Sequence, residues 1–531
     1  MPTYLAQYGH LPPEYPRTVY GIAQPVLENT LLNLVGNGFI KYRLLALFLI
    51  ISCTYLIYKN ITIFSKNRKI ALIFAILWMS SNPTWAQALT KNVNSLQTSW
   101  PNLWIQYLTL LAISILGYYK GKSKYSIIIA GLIAGTLPFI RIQGVLSSLI
   151  IVVFMYLYTR NLKKFMFGAI SAIVYWIVLI SINGGLQLYF HNIFSTPVDG
   201  LNQYTTILYI SNFTKGLIGY YLTLYWCYQS LMLIIGMFTK RNYLFRGQIK
   251  KKTAIKYYVL LSLYIIPKIF SNLSLWSSTL IDQSSNLALD LAVPLSFEII
   301  ALRIFHNKTI NVFKDTVDKP LVLTAMAVMF NLIYQFPLPD LGHKWWASAF
   351  SAIFLYHYLT FAQIDIRSKF TKNWIILILV PSLTLSNFNI YGFQKINYSI
   401  VNETDLTEYN GLQIPSYESS LVKKFFLSKK LLKYLDDKSI EVNYYCRDGL
   451  YYINSEGYSS NARNGLNFVN LLEVKNYNRT HVKFYCNSEN IDLKLFTSKR
   501  YIVYGDQSQD RFDFYNFDNE FYKEIIREFD Y

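Results

Sequence analysis

Apolar stretches of membrane-spanning length alternate with short polar connections along the first 394 of the 531 residues. A helix needs about 20 predominantly apolar residues to cross the hydrocarbon core of a bilayer. The pattern therefore predicts about twelve transmembrane helices. The stretches cover residues 43–58, 70–89, 101–119, 125–140, 143–158, 165–184, 216–238, 257–272, 287–304, 320–336, 346–362 and 374–392.

Two of these stretches, 125–140 and 143–158, are joined only by Arg141-Ile142-Gln143. They are either two short spans or one re-entrant hairpin. Both arrangements leave the orientation of the later spans unchanged.

After residue 392 the pattern changes to mixed periods that are typical of an α/β domain. An amphipathic stretch at 419–437 and a run at 518–529 predict helices, and β-rich runs lie at 440–446, 481–486 and 500–505. The predicted fold class is an α-helical polytopic membrane protein with a small C-terminal α/β domain. Its parts are an N-terminal segment (1–42), a membrane domain (43–392) and the α/β domain (393–531).

Basic residues orient these spans. Residues 1–394 hold 32 Lys and Arg, and 24 of them fall in six short connections that are every second one along the chain. Connections rich in Lys and Arg stay in the cytosol. The pattern therefore predicts that residues 1–42, the connections 185–215 and 337–345, and the C-terminal domain are extracytoplasmic.

The composition agrees with a membrane protein, since 53% of the residues are hydrophobic and only 15% are charged. Soluble proteins carry about 25% charged residues. The net charge of +20 belongs to the membrane part, because residues 395–531 hold 18 basic and 20 acidic residues. We therefore expect no nucleic-acid partner.

The four cysteines do not form a metal-binding pattern. Cys53 and Cys227 lie in apolar spans, where packing is the ordinary use of a free thiol. Cys446 and Cys486 each end a β-rich run of the tail. In an extracytoplasmic domain they form either a disulfide or two buried free thiols.

Ten carboxylates occur in the first 394 residues. Asp290 and Glu298 fall within one predicted span, where a carboxylate costs a few kcal/mol unless it faces a cavity or a partner. Pairing with a neighbouring helix is the expected use of Glu298, and proximity to the outer interface could explain Asp290. The predicted outer group is Glu14, Glu28, Asp199, Asp282 and Asp340.

The outer connection QFPLPDLGHKWW (335–346) brings three polar residues, Asp340, His343 and Lys344, within five positions. Such a group can hold a phosphate and handle a proton. The adjacent Trp345 and Trp346 are expected to be interfacial anchors.

A second candidate site is the connection that carries Arg141 and Gln143. Arg141 is the only charge between residues 125 and 159. It is either a helix-end arginine that snorkels to the interface or a guanidinium that binds a lipid phosphate.

A third candidate is the N-terminal run of residues 8–25, in which Pro and Gly are expected to preclude a regular helix. His10, Glu14, Arg17 and Tyr20 give it polar groups. It is either a flexible tail or an active-site loop placed just before the first span.

Several stretches resemble the multispanning glycosyltransferases of the GT-C class, in particular the protein-mannosyltransferase and aminoarabinose-transferase type. The likeness rests on Gly9-His10-Leu11-Pro12 followed by Tyr20-Gly21, on Ser99-Trp100-Pro101-Asn102, on Ile140-Arg141-Ile142-Gln143 and on the run 335–346. The outer C-terminal domain also fits this family.

The resemblance implies transfer of a sugar from a polyprenyl-phosphate donor to a glycan, lipid or protein acceptor at the outer membrane face, here of a bacterial plasma (inner) membrane. It implies membrane lipids as surroundings and no further cofactor. An outer carboxylate would deprotonate the acceptor hydroxyl. Glu14 is the candidate base, with Arg141, Gln143, Asp340, His343 and Lys344 as substrate-binding residues.

The chain departs from the family pattern at its start. In the family a cytosolic N-terminus and one further span precede the first outer loop, and the base lies early in that loop, before the place of Glu14. Asn102 also stands where many relatives have Asp. We expect either a missing N-terminal span, a substitute role for Glu14, or an inactive protein.

Two other classes remain as alternatives. An O-antigen-type polymerase or ligase also has many spans, but its outer loops are rich in Arg, and residues 185–215 contain none. A transporter would show interrupted spans in matching halves, which the sequence lacks. A non-catalytic membrane protein is the third possibility.

Overall fold

A computed structural model describes most of the membrane part and the strands of the tail. The described residues are 21–35, 39–64, 68–81, 101–119, 123–159, 161–183, 206–271, 287–306, 319–332, 345, 347–361, 398–400, 413–415, 442–446, 482–486, 501–506 and 509–515.

The described membrane part is helical. The helices are α1 (Ala23–Val35), α2 (Phe39–Phe64), α3 (Arg68–Ser80), α4 (Pro101–Tyr119), α5 (Lys124–Ile140), α6 (Gly144–Tyr158), α7 (Leu162–Asn183), α8 (Thr206–Thr239), α9 (Lys251–Ser271), α10 (Leu287–Asp290), α11 (Ala292–His306), α12 (Lys319–Asn331) and α13 (Ala349–Phe361). A short 3-10 turn, Leu244–Gly247, separates α8 from α9.

Four of these helices are long and apolar enough to cross a membrane, by length and composition: α2, α7, α8 and α9. The chain is therefore a helical membrane protein. The remaining predicted spans also coincide with helices, apart from 374–392, which lies outside the described residues. Several of these helices are shorter than a bilayer requires. The count of twelve spans stays a prediction.

Helices α5 and α7 approach each other through glycines. A Cβ atom added at Gly131 would lie 2.2 Å from the carbonyl oxygen of Phe165, and one at Gly168 would lie 2.2 Å from that of Ile128. Small residues let backbones approach this closely, and the resulting van der Waals packing is a main source of helix association in a bilayer. This packing fixes α5, and with it the turn that carries Arg141.

Helices α5 and α6 pack against each other and are joined by a tight turn at residues 141–143. The amide of Gly144 donates to the carbonyl of Arg141 at 2.7 Å. A Cβ at Gly144 would lie 2.2 Å from the carbonyl oxygen of Leu137, so this position needs glycine. Helix α5 has 17 residues and α6 has 15, so the two helices are about 25 and 22 Å long.

The N-terminal segment contains a helix that the sequence interpretation missed. The prediction of irregular chain over residues 8–25 is wrong at its end, because α1 begins at Ala23. Pro25 is tolerated there because the first-turn amides of a helix have no intrahelical partner to lose. The segment docks on α5, where the amide of Gly21 donates to the carbonyl of Ile140 at 3.0 Å.

Two large buried side chains, Trp78 of α3 and Trp345 just before α13, pack against each other. The Trp78 and Trp345 rings stack with centroids 4.6 Å apart, and the indole nitrogen of Trp345 donates to the carbonyl of Trp78 at 2.8 Å. Trp345 is 1% exposed. Its predicted role as an interfacial anchor is therefore wrong, because its one polar atom is satisfied inside the protein. Trp346 lies outside the described residues.

The two membrane cysteines differ from each other. Cys53 is free and buried, as a packing residue should be. Cys227 is free and exposed on α8, so its predicted packing role is wrong. An apolar residue such as Cys227 can stay exposed on a surface that faces the bilayer, because lipid tails are as apolar as the protein interior.

The described residues of the C-terminal tail are β-strands. Strands β3 (Val442–Cys446), β4 (Val482–Cys486), β5 (Tyr501–Asp506) and β6 (Gln509–Tyr515) form one sheet in the order β4-β3-β5-β6. The first two pairings are parallel and the last is antiparallel. Strands β1 (Tyr398–Ile400) and β2 (Gln413–Pro415) pair antiparallel. The predicted helices 419–437 and 518–529 lie outside the described residues, so an α/β domain stays a prediction.

Candidate functional site

A carboxylate is buried where α1 meets α4. Glu28 is 1% exposed, and its Oε1 atom accepts hydrogen bonds from Trp104 Nε1 at 2.9 Å and from Gln24 Nε2 at 2.9 Å. Gln24 and Glu28 are four positions apart on α1, which places them on the same helix face. Two directed donors meet the requirement that a buried carboxylate be hydrogen-bonded.

A guanidinium is held one helix away. Arg141 follows the last residue of α5 in an extended conformation, and its Nη1 atom donates to Asn102 Oδ1 at 3.1 Å. Asn102 is buried, whereas Arg141 is half-buried. The planar guanidinium has a fork geometry that matches a phosphate, and the bond to Asn102 fixes its orientation.

The carboxylate and the guanidinium are joined through the first turn of α4. Asn102 and Trp104 belong to that turn, so one helix end contacts both groups. Gly21, seven residues before Glu28, contacts the carbonyl of Ile140 beside Arg141. We call Gln24, Glu28, Asn102, Trp104 and Arg141 the α1–α4 cluster. It lies on the side of the membrane part that the basic connections predict to be outer.

The start of α4 adds its own electrostatic contribution. Pro101 has no N–H, and the other amides of the first turn have no intrahelical acceptor and carry a partial positive charge. The first turn contains no acidic residue. An external anion at this end would be attracted by the helix terminus and by Arg141, and repelled by the carboxylate of Glu28 that lies against Trp104.

A second polar group lies between α8 and the α10–α11 region. Tyr220 donates to Asp290 Oδ2 at 2.6 Å, and Tyr225 donates to Glu298 Oε2 at 3.1 Å. The expectation that Glu298 pairs with a neighbouring helix is confirmed, and Asp290 does so too. These bonds tie α8 to α10 and to α11, which is a structural role.

Only part of the predicted site falls on described residues. Arg141 and Gln143 are described, and they occupy the α5–α6 turn as expected. The predicted base Glu14 and the predicted substrate-binding residues Asp340, His343 and Lys344 lie outside the described residues. Trp345, a described residue of the run 335–346, packs beside Trp78.

The sequence interpretation missed the principal contacts of the α1–α4 cluster. The sequence pattern groups Glu28 with the outer acids without singling it out, and it marks Asn102 only as a departure from the family pattern. Helical periodicity did not reveal them, because the partners are 76 and 39 positions apart. The available signal is that Glu28 is the only charged residue of α1, because a buried carboxylate needs a hydrogen-bond donor.

Within the described residues, no three His, Cys, Asp or Glu side chains lie close enough to hold a metal ion. Comparison of the chain with known protein families, curated proteins and solved structures gives no match.

Proposed function

We propose that this protein transfers a sugar from a polyprenyl-phosphate donor to an acceptor at the outer face of a membrane. The observation that supports it best is the Arg141–Asn102 pair at the start of α4. A lipid-linked donor presents its phosphate at the membrane interface, and the pair offers an oriented cation there.

Arg141 would hold the donor phosphate. As the bond between the sugar and the phosphate breaks, negative charge grows on the phosphate oxygens, and a positioned guanidinium stabilises it. Asn102 orients Arg141 through the 3.1 Å bond. Gln143, in the same turn, would contact the same headgroup.

The acceptor step needs a base. The acceptor hydroxyl oxygen would form the new bond to the anomeric carbon, its proton would pass to a carboxylate, and polyprenyl phosphate would leave. Glu14 remains the proposed base. It precedes the docked Gly21 by seven residues, which limits its distance from that contact to about 25 Å.

Glu28 has a different proposed role. Its carboxylate already receives two hydrogen bonds and is closed off from solvent. It would position the N-terminal segment against α4 and α5. Asp340, His343 and Lys344 would contact donor or acceptor from the connection that ends at Trp345.

The test incubates membranes that contain the full chain with radiolabelled polyprenyl-phosphate sugars and measures labelled product. We expect Arg141→Gln to lower transfer by about a hundredfold, the usual effect of losing one transition-state donor. Asn102→Leu should lower it less, and Glu14→Gln should abolish it. Arg160→Gln, in a connection predicted to be cytosolic, is the control.

Two results would count against the proposal. Unchanged transfer in both Arg141→Gln and Glu14→Gln would remove the assigned site. Absence of transfer from any donor by the wild-type chain would favour a transporter or a non-catalytic protein.

The proposed orientation, with twelve spans and the tail outside a bacterial plasma membrane, is tested separately. Reporter fusions after residues 65, 205 and 400 should give cytosolic, external and external signals. A cytosolic signal at 400 would contradict the orientation that the mechanism requires.

A further inference from the structure

The connection between α8 and α9 carries an unusual concentration of positive charge. Residues 240–256 contain seven Lys and Arg and no Asp or Glu, and the other five basic connections hold three or four each. The sequence contains no acidic residue at all from 200 to 281. This charge therefore has no carboxylate nearby along the chain.

The connection has a defined shape. Its 3-10 turn is fixed by a bond of 3.2 Å from the amide of Phe245 to Oε1 of Gln229, a residue with no exposed surface. Asn242 Nδ2 closes the turn by donating to the carbonyl of Ile249 at 3.0 Å. Leu244 is buried beneath it. The basic side chains thus project from a folded support.

Aromatic rings reinforce that support. The Phe245 ring contacts Tyr225 of α8 and Tyr257 of α9 edge-on, with centroids 6.2 and 6.0 Å apart. The connection therefore bridges both helices.

The cations are exposed. Lys240, Arg241, Lys250, Lys251, Lys252 and Lys256 all have exposed side chains. We call these six residues the basic platform.

The platform adjoins surface that belongs in lipid. Helices α8 and α9 are both long and apolar enough to cross a membrane. Phe238, two residues before the platform begins, is 85% exposed, and Met237, Tyr257 and Leu260 are also exposed. Exposed apolar side chains directly below exposed cations place the platform at headgroup level.

The first turn of α9 lacks a counter-charge. Lys250, Lys251 and Lys252 stand at the helix start, where the helix dipole disfavours cations, and the turn has no acidic residue. An external anion at this place would offset both the dipole and the mutual repulsion of the three lysines.

We propose that the basic platform binds the phosphodiester headgroups of anionic phospholipids. Clusters of four to eight Lys or Arg next to a membrane-spanning helix are attracted to an anionic leaflet. The apolar surface below the platform favours a lipid over a soluble anion. The inference does not depend on the proposed transferase function.

The test uses the full chain in nanodiscs of phosphatidylcholine with increasing fractions of phosphatidylglycerol, and native mass spectrometry counts the lipids retained. We compare wild type with the triple variant Lys250→Gln/Lys251→Gln/Lys252→Gln. The matched control, Lys66→Gln/Lys163→Gln/Lys308→Gln, removes the same charge as one residue from each of three other basic connections, so that each of them keeps at least two basic residues. Four basic residues remain in residues 240–256 of the triple variant, as many as in any other basic connection, so its orientation should be kept.

Wild type should retain phosphatidylglycerol in preference to phosphatidylcholine. We expect the platform variant to weaken that retention roughly a hundredfold, at about fivefold per lysine, and the control variant to leave it unchanged. The charge-preserving variant Lys250→Arg/Lys251→Arg/Lys252→Arg should retain the lipid, which separates loss of charge from loss of fold.

Three outcomes would overturn the proposal. They are an absence of headgroup preference in wild type, equal losses in the platform and control variants, and displacement of the bound lipid by millimolar pyrophosphate. The last would indicate a soluble anion as the ligand.

Discussion

The indole nitrogen of Trp104 donates a 2.9 Å hydrogen bond to the carboxylate of Glu28, across 76 positions of sequence. This bond joins the N-terminal helix α1 to the first turn of α4. The neighbouring Asn102, in the same turn, holds Arg141. A single helix end therefore determines where the N-terminal segment and the candidate phosphate-binding arginine lie.

Removal of the Glu28 carboxylate should destabilise this junction. Glu28→Ala leaves the Trp104 N–H buried without its acceptor, which costs about 1–3 kcal/mol, and we expect lower thermal stability of the purified protein in detergent. Glu28→Gln, which keeps an acceptor oxygen, should cost less. The exposed Thr30→Ala on the same helix is the control, and equal effects of Thr30→Ala and Glu28→Ala would show that the bond contributes nothing.

A double-mutant cycle with Trp104→Phe measures the interaction energy between Glu28 and Trp104 directly. If the bond is the reason for the loss, Glu28→Ala should cost little once Trp104 is already Phe. Additive losses would mean that the two residues act independently.

The glycine contact between α5 and α7 predicts a packing defect. Gly168→Ala places a Cβ atom 2.2 Å from the carbonyl oxygen of Ile128, so the helices must separate, at about 1–3 kcal/mol. The measurement is the melting temperature in detergent. Ser171→Ala, on the exposed face of α7, should leave it unchanged, and a similar drop there would refute the packing explanation.

Substitutions of Trp345 should lower the stability of the protein by different amounts. Trp345→Ala removes the stack on Trp78 and the bond to its carbonyl, and should cost about 3–5 kcal/mol. Trp345→Phe keeps an aromatic ring and loses only the hydrogen bond, about 1 kcal/mol. If Trp345→Ala is as stable as wild type, Trp345 does not contribute to packing, and a role as a membrane-interface anchor is favoured.

Cys446 and Cys486 occupy paired positions on the parallel strands β3 and β4. Neighbouring strands are about 4.8 Å apart, within the range of about 4.4–6.8 Å between the Cα atoms of a disulfide. If the two residues form a disulfide, maleimide should not label Cys446 or Cys486 of the protein in native membranes until a reductant is added. Labelling of Cys446 and Cys486 without reductant would instead indicate free thiols.

The positions of the helices were largely accessible from the sequence, and their contacts were not. Apolar length predicted the regions of α4, α5 and α6 to within a few residues, since burial of such stretches in lipid is a local property. Proline and glycine misled the prediction for residues 8–25, because Pro25 stands in a first helical turn where its missing donor costs nothing. The interface assignment of Trp345 failed because a tryptophan that anchors and one that packs have the same sequence signature.

The amino-acid sequence by itself determined that this is a helical membrane protein with asymmetrically charged connections, because hydrophobicity and charge act along a single segment. Only the tertiary structure decided that Glu28 meets Trp104, that Asn102 meets Arg141, and that glycines set the spacing of α5 and α7. These contacts join segments far apart in the chain. They depend on how helices cross and on which buried polar atoms find partners, and neither can be derived from the period of one helix.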